Sequence, residues 1–208
     1  MRDGLRIGTR RVCSAFFVIF AATFLYDVCH VQGADGKDEP EAISRGFEIL
    51  ALFQGPWRVT ERHLDSDGEI SVTVSGTEEV TWLYEDRVIQ RAYLRPGQSE
   101  SYRASGFLTY NATQERYEGV WFNSQSREGP IDVTGTWNES AKTMVFSLTR
   151  RDGKNDEELF RITEAFTSDS QRESTTYQVR DGMLRKIMET QYVRSKPCPA
   201  KIRGLYTN

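Results

Sequence analysis

Residues 102–123 read YRASGFLTYNATQERYEGVWFN and contain two alternating runs joined by a short turn. Side chains at even spacing lie on the same face of an extended chain. Six residues share one face of the two runs: Tyr102, Gly106, Tyr110, Tyr117, Gly119 and Trp121. The turn contains Asn111, a residue type that favours turns. The stretch therefore predicts an antiparallel hairpin with one aromatic face.

The same alternation continues on both sides of this hairpin, in runs rich in β-branched and aromatic residues. Turn residues separate ten predicted strands, which begin near Trp57, Ile70, Val88, Tyr102, Tyr117, Ile131, Thr143, Leu159, Arg172 and Met183. The spacing leaves no room for crossover helices, so an antiparallel meander is expected. We favour an all-β, up-and-down barrel over a two-sheet sandwich, because closure removes both exposed edges.

One helical pattern precedes the strands. Ile43, Phe47 and Leu50 recur at the spacing of one helix face. Pro40 suits a first helical turn, and Gly55 with the following proline stops the helix. The sequence predicts a short amphipathic helix over residues 40–53 that covers one end of the barrel.

The first 33 residues are organised like a secretory signal peptide. Four arginines precede an apolar run over residues 12–26, which is too short to span a bilayer as a helix. Cleavage near Gly33 or Ala34 is favoured over retention as an anchor, and over lipidation at Cys29. We therefore expect an exported protein, periplasmic or extracellular, without a stable membrane span. Its parts are a linker (34–39), the helix and barrel (40–195) and a tail (196–208).

Composition excludes several classes of protein. There are 27 Lys and Arg against 30 Asp and Glu, which lacks the basic excess of a nucleic-acid-binding protein. After signal removal, His63 and Cys198 are the remaining histidine and cysteine. A single cysteine cannot form an internal disulfide. One histidine and one cysteine far apart in sequence do not predict a metal site. We expect the charges that are interspersed along the strands to lie on solvated faces.

The two ends of the strand region resemble lipocalins and related calycins. Gly55-Pro56-Trp57 begins the first strand, and Arg194 ends the last. Calycins begin with a Gly-x-Trp motif whose indole plugs the barrel base, under a basic residue from the last strand. The resemblance implies that Trp57 and Arg194 form this structural closure here.

The order of motifs over residues 50–195 resembles an uncharacterised, mostly bacterial family of exported calycin-like proteins, a domain of unknown function. The motifs are GFLTYN at 106–111, YEGVWFNS at 117–124, Gly135, and KIMETQYVR at 186–194 after Asp181-Gly182. That family has Asp where this chain has Asn111 and Asn123. The family has no assigned reaction, so the resemblance implies a barrel with a ligand-sized interior and no particular activity.

Alternation also suggests a polar cluster at the barrel mouth. If Trp57 points inward, Glu61 and His63 share its face. Lys186 would point inward on the last strand, beside the first. Glu61 and His63 are therefore candidate catalytic residues, although ordinary rim solvation is the favoured explanation for them. Haem bound through His63 is disfavoured. Calycins that bind haem through one histidine have that histidine near the end of the barrel, and this sequence lacks one there.

The aromatic face suits a flat apolar or amphipathic molecule, with core packing as the alternative. The predicted ligand-binding residues are Tyr102, Tyr110, Tyr117, Trp121, Asn123, Met188 and Tyr192. Our leading hypothesis is a small-molecule-binding barrel without a cofactor. An enzyme using Glu61 and His63 and a filled barrel acting as an interaction module remain alternatives, and the oligomeric state is open.

Overall fold

The computed structural model describes residues 41–97, 100–126, 129–151 and 157–195. Within these ranges the chain forms one helix, α1 (Glu41–Ala51), and ten strands. The strands are β1 (Gly55–Leu64), β2 (Ile70–Leu83), β3 (Val88–Arg95), β4 (Tyr102–Asn111), β5 (Arg116–Asn123), β6 (Ile131–Asn138), β7 (Thr143–Arg151), β8 (Glu157–Ser168), β9 (Gln171–Arg180) and β10 (Met183–Arg194). The signal peptide, the linker and the tail lie outside the described residues, so those boundaries stay predictions. None of the described helices is long and apolar enough to cross a membrane.

The strands close into one antiparallel barrel. Each strand pairs with its neighbours in sequence, and β1 pairs with β10, where Trp57 lies opposite Arg194 and His63 opposite Met188. All ten strands begin within two residues of their predicted positions. The predicted up-and-down barrel is therefore confirmed, and the two-sheet sandwich is wrong.

The helix α1 packs against the barrel through its apolar face, and it ends two residues before the predicted limit. Ile49, Leu50, Leu52 and Phe53 are all at least 95% buried. The backbone N–H of Leu52 donates to the Ile49 carbonyl at 3.2 Å, which tightens the last turn. Gly46 is required at the closest approach, because a Cβ there would collide with the Tyr110 ring on β4.

Glu139, in the turn after β6, links α1 to the outside of the barrel through hydrogen bonds. Its carboxylate accepts hydrogen bonds from Lys142 at 2.5 Å, from the Trp137 indole at 2.7 Å and from Arg45 of α1 at 2.8 Å. These three donors, Lys142 first, lower the pKa of Glu139 to about 2. The carboxylate is therefore charged at neutral pH and ties the helix to the β6–β7 turn.

Trp57 closes the barrel at the end that α1 covers. Its side chain is only 1% exposed, and its indole N–H donates to the Phe53 carbonyl at 2.8 Å. The Arg194 guanidinium lies 4.0 Å from the indole centroid. Arg194 also donates to the carbonyl of Leu52 at 3.0 Å and to that of Gln54. A cation at this position satisfies carbonyls that the helix end leaves without partners.

A buried network of four charges lies on the inner side of this closure, and we call it the charge tetrad: Glu78, Arg91, Glu164 and Arg172. Arg91 donates from Nε to Glu78 at 2.8 Å and from Nη1 to Glu164 at 3.0 Å. Arg172 donates to Glu164 at 3.1 Å and also to Glu78. The expectation that strand charges lie on solvated faces is wrong for these four residues.

The tetrad is stabilised by mutual neutralisation and by aromatic contacts. Burial opposes the charge of Arg91, yet Glu164, followed by Tyr192, raises the pKa of the guanidinium above its ordinary value. Arg172 is fully buried, with its guanidinium 4.7 Å from the Trp57 centroid and 5.0 Å from that of Phe53. Two glutamates balance two arginines, so the tetrad has no net charge.

Replacing Trp57 with alanine tests the closure. We expect Trp57→Ala to lower the free energy of unfolding by about 3–5 kcal/mol, because it removes a buried ring that both packs and stacks. Urea unfolding followed by circular dichroism measures the loss. Arg58→Ala changes the exposed neighbour on β1 and should stay within about 0.5 kcal/mol of wild type. A loss below about 1 kcal/mol for Trp57→Ala would show that the indole does not close the barrel.

Removing one arginine tests the tetrad. We expect Arg172→Met to lower the free energy of unfolding by about 3–5 kcal/mol, because Glu78 and Glu164 then share a single buried guanidinium. Arg161→Met on β8 is the matched control, since Arg161 is exposed. The same urea experiment compares the two variants, and equal losses would contradict the role assigned to the tetrad.

Candidate functional site

A cavity of about 190 Å³ occupies the barrel interior. Glu78, Arg91 and Glu164 of the tetrad line it. Arg91 also lies 5.3 Å from the ring of Phe53, which belongs to the closed end. The tetrad therefore separates the closure from the cavity and forms the cavity floor.

The cavity has two unlike walls. The apolar wall comes from β4 to β8 and consists of Gly106, Leu108, Trp121, Val133, Phe146, Leu148 and Ile162. The polar wall comes from β1, β9 and β10 and consists of Glu61, Ser174, Thr176 and Thr190. Barrel order explains the division, because β1, β10 and β9 are consecutive neighbours. Such a cavity can bury a ring on one side and orient a polar group on the other.

Gly106 shapes the apolar wall. It lies opposite Trp121 in the register of β4 and β5, and a Cβ on it would collide with the indole. Only glycine lets the Trp121 ring lie against β4. The aromatic surface therefore depends on a residue that contributes no side chain.

Four of the predicted ligand-binding residues line the cavity: Tyr102, Trp121, Met188 and Tyr192. The Tyr192 ring lies 4.0 Å from the Arg172 guanidinium. Burial, followed by the charge of Glu164, raises the pKa of Tyr192 to about 12, so its hydroxyl stays protonated. Ligand binding by these four residues stays a prediction.

Tyr110 and Tyr117 do not line the cavity. The Tyr110 ring packs edge-on against Phe47 of α1, with centroids 6.1 Å apart. The Tyr117 hydroxyl donates to the Gly46 carbonyl at 3.2 Å, and burial raises the pKa of this hydroxyl. Both rings share the inner face with Trp121, but α1 occupies their end of the barrel. Core packing, the alternative to ligand binding, therefore describes these two residues.

Asn123 also lies outside the cavity lining. Its Oδ1 accepts hydrogen bonds from the backbone N–H of Ser126 at 2.7 Å and of Gln125 at 3.1 Å. The side chain therefore caps the turn after β5. An aspartate at this position could accept the same two bonds.

Glu61 lines the cavity and is 9% exposed. Its Oε2 lies 3.4 Å from His63 Nε2 and 3.4 Å from a guanidinium nitrogen of Arg95. Burial and the nearby Glu61 charge raise the pKa of Tyr93 well above its usual range. Glu61 thus joins a small polar group, but both of its donors are long for hydrogen bonds.

The predicted three-residue cluster at the mouth is wrong in one member. Lys186 is exposed and donates to Glu189 at 2.7 Å on the outside of the barrel. A register shift between Lys186 and Met188 reverses the alternation, so the even-spacing rule fails there. His63 contacts Glu61 but does not line the cavity. The acid–base candidate is reduced to the Glu61–His63 pair.

No group of three or more His, Cys, Asp and Glu residues is arranged to hold a metal ion within the described ranges. The predictions that the protein has no metal site and no cofactor, and that haem is disfavoured, stay predictions.

The sequence interpretation missed the charged floor of the cavity. Arg91 lies two residues from Ile89 and two from Tyr93, so all three share the inner face of β3. Glu164 has the same flanking pattern on β8. A charge with apolar residues at both even-spaced neighbours was the signal that could have placed these residues inside.

Three similar solved structures are 12% or 13% identical in sequence to this chain. A redesigned β barrel is 13% identical with a TM-score of 0.39, covering 72% of this chain and 96% of that chain. EF1p2_mFAP2b bound to DFHBI is 12% identical with a TM-score of 0.38, over 72% and 99% of the two chains. The siderocalin Ex-FABP, described as functioning through dual ligand specificities, is 13% identical with a TM-score of 0.30, over 74% and 78%.

No curated protein matches the chain in sequence. A family described as Protein of unknown function (DUF1579) matches residues 45–194. That span runs from within α1 to the last residue of β10. It contains the Trp57 closure, the tetrad and every residue that lines the cavity. The chain belongs to the DUF1579 family.

Proposed function

We propose that this protein is exported and that its barrel binds a small apolar or amphipathic molecule in the interior cavity. The observation that carries the binding proposal is the cavity itself, in which an apolar wall faces a buried polar wall. The export proposal rests on the basic and then apolar organisation of residues 1–33.

The volume of the cavity supports a ligand of about one ring. An apolar cavity of about 150 Å³ engineered into another protein binds benzene. Pockets for drug-sized ligands are larger, about 300–1,000 Å³. The present cavity, about 190 Å³, is close to the first figure.

Titration with single-ring aromatics tests the binding proposal. We expect toluene or phenol to change the tryptophan emission saturably, because Trp121 lines the cavity. The response should disappear in Trp121→Phe and persist in Trp137→Phe, which removes an indole outside the cavity lining. Mass spectrometry of gently purified protein would then search for a retained molecule. A barrel with a filled interior that acts through its surface would give no saturable change with any probe.

The contact between Glu61 and His63 favours a second candidate function, acid–base catalysis on the bound molecule. Glu61 is at the cavity wall, and His63 Nε2 is 3.4 Å from its carboxylate. A histidine beside a carboxylate can exchange protons near neutral pH.

His63→Ala separates the two functions. For a binding protein we expect the affinity for the probe to change by less than about twofold, because His63 does not line the cavity. Arg62→Ala, an exposed neighbour on β1, is the matched control. Calorimetric titration measures the affinity, and a loss above about tenfold in His63→Ala alone would contradict a purely apolar or amphipathic binding role. Turnover of a retained molecule that vanishes in the same variant would establish catalysis instead.

A further inference from the structure

We propose that the cavity selects an uncharged one-ring molecule that carries an O–H or N–H donor. This inference rests on the proposed binding function and names the class of ligand for the same site. Some polar atoms of the cavity wall already have short hydrogen bonds, and others do not.

Three carboxylates line the cavity, and two of them belong to the tetrad. Both oxygens of Glu78 and both oxygens of Glu164 accept a hydrogen bond from a tetrad guanidinium. Glu61 differs, because its two nitrogen donors both approach Oε2 from 3.4 Å. Hydrogen bonds from nitrogen to oxygen are usually about 2.7–3.2 Å long. Besides these two nitrogens, the Tyr93 hydroxyl interacts with Glu61. An ionised carboxylate has about four acceptor sites. Glu61 therefore has more acceptor capacity left for a ligand than either tetrad carboxylate.

Thr176 provides a second polar atom on the same wall. Its side chain lines the cavity and is 6% exposed, and its Oγ1 has no hydrogen-bond partner among the described residues. Thr190 is the register partner of Glu61 on one side and of Ser174 on the other, so these groups lie on three adjacent strands. A buried hydroxyl without a partner is costly, and a polar ligand atom would remove that cost.

The charges around the cavity disfavour an ionic ligand. Glu78 and Glu164 are balanced by the two arginines of the tetrad, and Glu61 lies beside Arg95. An anionic ligand would lose its hydration and would find no uncompensated positive charge, because Arg91, the arginine of the lining, is paired with Glu78 and Glu164. A cationic ligand would lose its hydration next to buried guanidinium groups and would gain no uncompensated negative charge. An uncharged donor can use Glu61 without either penalty.

The opposite wall fits the ring of such a ligand. Trp121 and Phe146 contribute aromatic surface there, and Leu108 and Leu148 add aliphatic contacts. A flat ring packed on this wall directs its substituent toward the polar strands β1, β9 and β10. The ligand class therefore combines one apolar ring with one neutral donor, as in phenol.

Phenol and toluene provide a matched test, because they differ by a hydroxyl in place of a methyl group. A purely apolar cavity would bind toluene more tightly, since the phenol hydroxyl loses its hydrogen bonds to water. We expect the reverse order in isothermal titration calorimetry, with phenol at least about tenfold tighter than toluene. Benzoate and benzylammonium, the charged probes of similar size, should bind more weakly than phenol.

Two variants locate the selectivity within the wall. Thr176→Val keeps the side-chain shape, and Glu61→Gln keeps the size while removing the charge. We expect each to lower the phenol affinity about 3- to 10-fold and to leave the toluene affinity equal or higher. Thr175→Val is the matched control, because Thr175 lies on the outer face of β9 opposite Glu189 and should change neither affinity.

The outcomes separate this inference from the function on which it rests. If toluene binds saturably and more tightly than phenol, the cavity is simply apolar and the inference is overturned, while the binding function stands. If benzoate or benzylammonium binds best, the assignment of an uncharged ligand is overturned. An unchanged ratio of phenol to toluene affinity in both wall variants would remove Glu61 and Thr176 from the site. If no probe binds saturably, the proposed binding function itself fails.

Discussion

The guanidinium of Arg172 connects the closed end of the barrel with its cavity. Its central carbon, Cζ, lies 4.7 Å from the ring centroid of Trp57, 5.0 Å from that of Phe53 and 4.0 Å from that of Tyr192. Its nitrogens bind Glu78 and Glu164, which line the cavity. A fully buried cation requires paired, hydrogen-bonded partners, because isolated burial of a charge is prohibitive. The closure and the cavity floor are thus parts of one packed unit.

Alternation was sufficient to predict the barrel but not its internal division. The same inner face carries Tyr117 and Trp121 on β5, yet Tyr117 packs under α1 and Trp121 lines the cavity. Nothing in a period of two distinguishes these positions. The difference arises from α1, whose Gly46 and Phe47 occupy one end of the barrel. The local sequence predicts on which face of a strand a side chain lies, but what packs against that face depends on the tertiary structure.

Two failures of the sequence interpretation have separate physical causes. Lys186 was expected inside because its spacing from Arg194 is even, and the register shift next to Met188 turns it outward to Glu189. Bulges insert one residue without an unambiguous sequence signal. Glu78 and Glu164 were expected outside because isolated glutamates are rarely buried. They are buried because arginines on β3 and β9 lie within hydrogen-bond distance, a pairing that sequence order conceals.

The charge tetrad also determines what the cavity can recognise. Buried ion pairs add little net stability compared with apolar residues of similar volume. Their consequence here is geometric, since each oxygen of the two tetrad carboxylates already accepts a hydrogen bond from a guanidinium group. A neutral, saturated floor neither attracts nor repels a charged ligand strongly. In the proposed binding site, recognition then depends on Glu61 and Thr176 along the polar wall, while Trp121 and its neighbours provide the apolar surface. The most charged part of the interior is therefore structural, and the less saturated wall beside it is where chemical selectivity arises.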